Sequence, residues 1–188
     1  MTLGHNRSAP DAAVRAVIAL GGNLGDREAT LRSAVASVAA LDGVWMLAAS
    51  GLVETPALKL DGVDYDAPSY LNAVLIVETT LDPHALLDAL AAIESQHHRT
   101  REVRWGDRTL DLDLISVDDV ILDTPRLTLP HPRAHERAFV LAPWLQADAH
   151  ARLIGHGAVA DLLQQRTDRV SVYPAAPLLP GASQGVTP

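Results

Sequence analysis

Asp111 and Asp113, in the run Arg108-Thr-Leu-Asp-Leu-Asp-Leu-Ile115, are the residues most able to do chemistry. Side chains of an extended strand alternate between faces, so the two acids point one way and Leu110, Leu112 and Leu114 point into a core. The same alternation carries the acid face on through Ile115 and Val117. Two like charges about 7 Å apart repel, and Asp is a poor strand residue, so a positive partner is expected. Hard carboxylate oxygens suit Mg²⁺, which keeps waters and takes substrate phosphates as further ligands. Two such acids can serve two ions in an in-line displacement. The bland alternative is a solvated strand face.

The residues just upstream add cations. Arg99, Arg101, Arg104 and Arg108 lie in one loop, and fourteen of the fifteen basic residues are Arg, Lys59 being the exception. Seven of the Arg fall between Arg99 and Arg137. Planar guanidinium forks match phosphate oxygens and neutralise charge as a phosphoryl group moves. Trp105 beside Gly106 could close over a flat ligand; equally, Glu102 and Asp107 could pair the arginines in an exposed loop. Downstream, His131 can donate to a phosphate and Arg137 can pair with one. Phe139 can be core or one face of an aromatic sandwich. Tyr70 and Asn72 share a strand face and offer a ring and an amide to a planar hydrogen-bonding heterocycle. The run Gly21-Gly22-Asn23-Leu24-Gly25-Asp26 has neither dinucleotide-fingerprint nor Walker spacing and reads as a tight turn that ends a strand.

Positioning these groups requires a packed domain, and 188 residues with 48% hydrophobic content suffice for one. Strands are expected at 14–20, 45–54, 70–79, 110–117 and 170–173. Helices are expected from an Asp26 cap to about Leu41, from an Asp82 cap to about His98, and over 159–165. The second helix should bury Leu86, Leu87, Leu90 and Ile93. A helical stretch from Phe139 should stop near Pro143. Thr55 to Ser69 reads as a long functional loop, and Asp118-Asp119 as a hairpin into Val120–Leu122. The order β-α-β-β-α-β is the ferredoxin-like α+β pattern: an antiparallel sheet with packed helices. One domain over 14–173 is expected, with loose tails at 1–13 and from Pro174. The net charge of −8 argues against a general nucleic-acid binder, and no apolar run approaches the roughly 20 residues of a membrane span. Without cysteine there are no disulfides or thiol nucleophiles, which fits a cytoplasmic protein.

These motifs together resemble the 6-hydroxymethyl-7,8-dihydropterin pyrophosphokinase family of folate biosynthesis. The resemblance is carried by Leu20-Gly-Gly-Asn-Leu-Gly-Asp26, Glu54-Thr-Pro, Tyr70-Leu-Asn-Ala-Val, Ile93-Glu94, Arg104-Trp-Gly-Asp-Arg-Thr-Leu-Asp-Leu-Asp113, Leu129-Pro-His-Pro and Arg137-Ala-Phe139. It implies a three-layer α-β-α sandwich that moves the β,γ-diphosphate of ATP onto a pterin hydroxymethyl group and releases AMP. It further implies that Asp111 and Asp113 bind two Mg²⁺, that Tyr70 and Phe139 sandwich the pterin, and that Asn72 with the backbone near Thr55 and Leu58 reads its polar edge. Arg99, Arg101, Arg108, His131 and Arg137 would contact ATP, Trp105 would cover the site, and Glu94 would lie on the nucleotide side or pair with Arg99. The partners would be small molecules and the protein a monomer. Two rivals are a ligand-binding module without catalysis and a metal-dependent nuclease.

Overall fold

The computed structural model describes residues 13–59, 62–64, 68–97 and 109–179. In chain order its elements are β1 (Val14–Gly22), α1 (Arg27–Ala39), β2 (Val44–Ala49), β3 (Val53–Thr55), β4 (Ala57–Lys59), β5 (Gly62–Asp64), β6 (Tyr70–Thr79) and α2 (Pro83–Gln96). There follow β7 (Asp111–Val117), β8 (Leu122–Asp123), β9 (Thr128–Leu129), a 3₁₀ turn (Ala134–Glu136), α3 (Ala138–Ala147), β10 (Arg152–Leu153), β11 (Gly157–Ala158), α4 (Val159–Gln164) and β12 (Ser171–Val172).

The main sheet runs β12-β3-β6-β1-β7, with β2 also paired to β6, and every pairing is antiparallel. This is the ferredoxin-like arrangement with helices on both faces. On one face Ile18, Leu20, Leu71, Ala73, Leu112 and Leu114 meet Leu31, Val35 and Val38 of α1 and Leu86, Leu90 and Ile93 of α2. On the other, Val17, Ala19, Val74, Ile76 and Ile115 meet Val140, Leu141 and Trp144 of α3 and Val159 of α4. The strands in the middle of the sheet are apolar on both sides because both sides are covered.

The helix starts follow their caps. Asp26 accepts from the Ala29 amide at 3.0 Å, and Asp82 from His84 and Ala85 with Pro83 opening the helix. The four buried residues of α2 are Leu86, Leu90, Ile93 and Glu94. Glu94 therefore takes a place in the buried stripe expected for Leu87, which packs only at its margin.

Several local expectations are corrected. β1 does not end before Gly21: it continues through Gly22, paired on both sides at Gly21. The single strand expected over 45–54 is interrupted at Ser50, whose hydroxyl accepts from Val74 N–H while its own N–H donates to Val74 O, both at 2.9 Å. The loop expected at 55–69 contains the β4–β5 hairpin. β8 pairs with β9 rather than folding back on β7. The β1–β7 register shifts between Val17 and Ile18, so one extra residue, Ile115, sits opposite the break. The bulge puts Val117 on the leucine face, not on the acid face. Finally, α3 runs through Pro143. Proline there deletes one helical hydrogen bond, but Val140, Leu141 and Trp144 anchor the helix to the sheet and packing prevails.

The segment after Pro174 does not hang free as far as Leu179. Leu178 is buried in the α1–α2 core, and Arg32 donates to the carbonyls of Ala176 and Pro177 at 2.6 and 3.1 Å.

Candidate active site

Register brings the chemistry together. Gly21 of β1 lies opposite Asn72 of β6 on one side and opposite Asp111 of β7 on the other. Ala19 likewise lies between Val74 and Asp113. Residues directly opposite one another on antiparallel strands share a face. Asn72, Gly21, Asp111 and Asp113 thus lie on the face that α3 covers. Leu110, Leu112 and Leu114 are buried on the other face, as alternation requires.

Asp113 is held from the α3 side. Arg137, which caps α3, donates from Nη1 to Asp113 Oδ2 at 2.9 Å, and its guanidinium carbon stands 5.6 Å from the centre of the Phe139 ring. His131 Nε2 lies 3.9 Å from the same carboxylate oxygen. The Arg133 amide donates to His131 Nδ1 at 3.2 Å, so in the neutral ring Nε2 carries the hydrogen and presents it to Asp113. Burial pushes the His131 pKa below its ordinary value; Asp113 opposes the shift and Arg137 adds to it. The ring is therefore a neutral donor near neutral pH.

Among the described residues no cluster of three or more metal-ligating side chains occurs. Two carboxylates with no third ligand among the described residues fit Mg²⁺, which binds through one or two carboxylates and fills its octahedron with water and phosphate oxygens. Beside Asp113 lies a cavity of about 260 Å³, with Leu87, Leu112, Leu114 and Leu127 as apolar walls and Arg126, Thr128 and His131 at its polar side. Arg126 makes a short charged contact with Asp88.

On the far side of Gly21, Asn72 is buried and donates from Nδ2 to Thr55 Oγ1 at 3.1 Å. Thr55 is opposite Tyr70. A clamp absent from the sequence reading fixes this corner. Arg27 Nη1 donates to Glu54 Oε1 (2.9 Å), Ser69 O (2.7 Å) and Ser69 Oγ (2.8 Å), and the Ser69 hydroxyl donates to Glu54 Oε1 at 2.6 Å. Asn23 donates to Pro68 O at 3.2 Å. The Ser69 hydroxyl, and then Arg27, hold the Glu54 carboxyl below its usual range against the opposing effect of burial. The signal in the sequence was Arg27, one residue past the Asp26 cap, but its partners are 27 and 42 residues away.

Glu94 has a contact other than those expected of it. Its Oε1 accepts the backbone N–H of Leu112 at 2.7 Å, between the two acids. The β4 strand contains Leu58, whose side chain lies outside the described set. Arg99, Arg101, Trp105 and Arg108 also lie outside the described residues.

The fold and site define a ferredoxin-like α+β domain with an acid pair, an Arg and a His set against one of its carboxylates, and a corner holding Asn72, Thr55 and Tyr70. The chain belongs to the 7,8-dihydro-6-hydroxymethylpterin-pyrophosphokinase family, whose model matches residues 17–149. It is 45% identical over 129 residues to 2-amino-4-hydroxy-6-hydroxymethyldihydropteridine pyrophosphokinase of Bacillus subtilis (strain 168), covering 68% of this chain and 74% of that one. It is 35% identical over 155 residues to the protein of the same name from Haemophilus influenzae, covering 82% and 94%. The crystal structure of Plasmodium falciparum HPPK-DHPS superposes with a TM-score of 0.60 at 14% identity, over 81% of this chain and 41% of that longer one, a likeness of fold. Among the described residues no helix is long and apolar enough to cross a membrane.

Proposed function

We propose that this chain transfers the β,γ-diphosphate of ATP to the hydroxymethyl group of 6-hydroxymethyl-7,8-dihydropterin, releasing AMP, with Asp111 and Asp113 holding two Mg²⁺. The observation that carries the reading is the cross-strand row Asn72–Gly21–Asp111. It sets a side-chain amide and a carboxylate on one face, two strand spacings or about 10 Å apart, which supports a heterocycle at the first and a cation at the second. A bicyclic ring with its hydroxymethyl arm spans a gap of that order.

In this reading Tyr70 and Phe139 stack on the pterin, while Asn72 and the backbone near Thr55 and Leu58 read its polar edge. The cavity beside Asp113 takes the nucleoside end of ATP, so its phosphates run along β7 past His131 and Arg137. Bound Mg²⁺ would supply charge neutralisation at the bridging phosphate oxygens. His131 donates its Nε2 hydrogen to a phosphate oxygen. Arg137 keeps Asp113 oriented and contributes positive charge beside the developing negative charge. Arg99, Arg101 and Arg108 are assigned to the phosphates and Trp105 to covering the pterin. Glu94 supports the nucleotide side through β7 and is not itself required to touch ATP. The pterin hydroxyl oxygen attacks the β-phosphorus in line, the bond from that phosphorus to the α,β-bridging oxygen breaks, AMP departs with that oxygen, and the hydroxyl proton passes to solvent. Catalysis is positioning and charge stabilisation, and no side chain becomes covalently attached. The reading also makes the protein a cytoplasmic monomer of one domain over 14–173 that binds small molecules.

The test is chromatographic. AMP should appear from ATP and Mg²⁺ only when 6-hydroxymethyl-7,8-dihydropterin is present, in equal amount to the pterin diphosphate. AMP formation independent of the pterin, or cleavage of DNA by the same preparation, would refute it.

A further inference from the structure

Glycine inside a strand weakens it unless something must approach closely. Gly21 is such a residue. It is paired on both sides, and its φ is not among the positive ones, so backbone freedom does not explain it. Space does: a Cβ built at Gly21 would stand 2.8 Å from Asn72 Oδ1, closer than real contacts allow. The Asn72 amide cannot yield without loss. It is buried, and its other end is committed to Thr55 Oγ1 at 3.1 Å. A methyl group at position 21 would therefore rotate or displace the amide and disturb that bond, while meeting the Leu71 carbonyl oxygen only at an ordinary 3.7 Å.

We propose that Gly21 is a positioning residue for heterocycle recognition: its bare backbone forms the floor between Asn72 and Asp111, and lets the Asn72 amide keep the orientation that Thr55 sets. This rests on the heterocycle reading of Asn72 given above and deepens it. The glycine has two effects. It leaves the amide's oxygen and nitrogen in a fixed order for a donor–acceptor edge. It also keeps the face between the amide and the acid pair open, where the hydroxymethyl arm must cross. The neighbouring row, with Ala19 between Val74 and Asp113, already carries a methyl group and has no amide beside it.

The experiment is a four-protein cycle on the full chain: the unaltered protein, G21A, N72A and G21A/N72A. Each is titrated calorimetrically with 6-hydroxymethylpterin in the presence of saturating Mg²⁺ and α,β-methylene-ATP, and separately with the Mg²⁺–nucleotide alone. G21A should bind the pterin at least tenfold more weakly and the nucleotide within about twofold of the unaltered protein. In the N72A background the same change should cost less than about twofold, because the atom it displaces has gone. If G21A proves too unstable to titrate, its melting temperature should be restored in G21A/N72A. Equal loss of pterin and nucleotide affinity in G21A would overturn the inference. So would a full further loss on adding G21A to N72A, or no restoration of stability in the double variant. If the unaltered protein binds the nucleotide but not the pterin, the reading of Asn72 fails and the inference falls with it. If the unaltered protein binds the pterin and G21A binds it equally well, only the role of Gly21 fails.

Discussion

Asp113→Asn separates what the acid contributes to folding from what it contributes to chemistry. In the folded protein Asp113 loses about 1 kcal/mol of partner energy on amidation, since its bond to Arg137 is charge-assisted but a third of the carboxylate side chain is exposed. Against this, removing one of two charges about 7 Å apart relieves a repulsion of about 0.6 kcal/mol at a water-like dielectric, rising to about 2.4 at an effective value near 20. The terms oppose, so stability should change by between about −0.4 and about +1.4 kcal/mol, which is at most about 3–6 °C in melting temperature. Activity should fall about 10²–10³-fold or more, because an element that stabilises transferred charge is gone. Two assays read this: AMP release under saturating substrates, and thermal melts with and without Mg²⁺ and α,β-methylene-ATP. In the unaltered protein, ligand at a hundred times its dissociation constant adds about 2.7 kcal/mol, or about 5–10 °C. In the Asn variant that rise should largely vanish. A variant that keeps turnover, or one that melts more than about 10 °C lower without ligand, would show that Asp113 is structural and refute the electrostatic argument.

Arg27→Ala removes the clamp between Glu54 and Ser69 and should raise the pterin KM several-fold with the ATP KM unchanged; a matched rise in both would disprove a local role. The depressed Glu54 pKa stabilises the fold above the ordinary value of 4.5, and that stability is lost as pH falls below 4.5 through the folded value. Melts of Glu54→Gln should therefore be flatter across this acid window than those of the unaltered protein, and parallel curves would contradict it. Glu94→Ala strands the buried Leu112 amide and should cost about 1–3 kcal/mol, with faster hydrogen exchange at Leu112; Glu94→Gln keeps an acceptor there and should exchange more slowly than the Ala variant.

Features governed by neighbours along the chain were legible in the sequence. Asp26 and Asp82 cap helices as their positions imply, and alternation places Leu110, Leu112 and Leu114 opposite Asp111 and Asp113. Asp113, His131 and Arg137, each singled out in the sequence, lie together in the structure, at 2.9 Å for Arg137 and 3.9 Å for His131 from one Asp113 oxygen. What escaped depends on partners distant in sequence. No periodicity announces the bulge at Ile115, because it answers to β1. Pro143 is a helix breaker only until α3 is seated on β6, where Val140, Leu141 and Trp144 are buried. Gly21 looked like a turn residue because glycine is ambiguous between freedom and space, and only Asn72 on the next strand decides it.

The acid pair sits on the last strand of the sheet, which by itself would be a poor place for exact geometry. An end strand exposes unpaired backbone groups and frays more readily than a central one. Here two unrelated elements close that edge. Glu94 of α2 takes the Leu112 N–H, and the His131 N–H donates to Ile115 O at 2.8 Å. The first contact falls between the two acids, and the second falls at the bulge two residues beyond Asp113. The same His131 residue turns its ring toward Asp113, so fastening the strand and furnishing the site are one arrangement. With β1 paired on the inner side, β7 is held from both edges over the residues that matter. Repulsion between Asp111 and Asp113 consequently cannot be relieved by splaying the strand. In the proposed reading it remains available to favour a cation that neutralises the pair, and rigidity of the strand would then add to affinity.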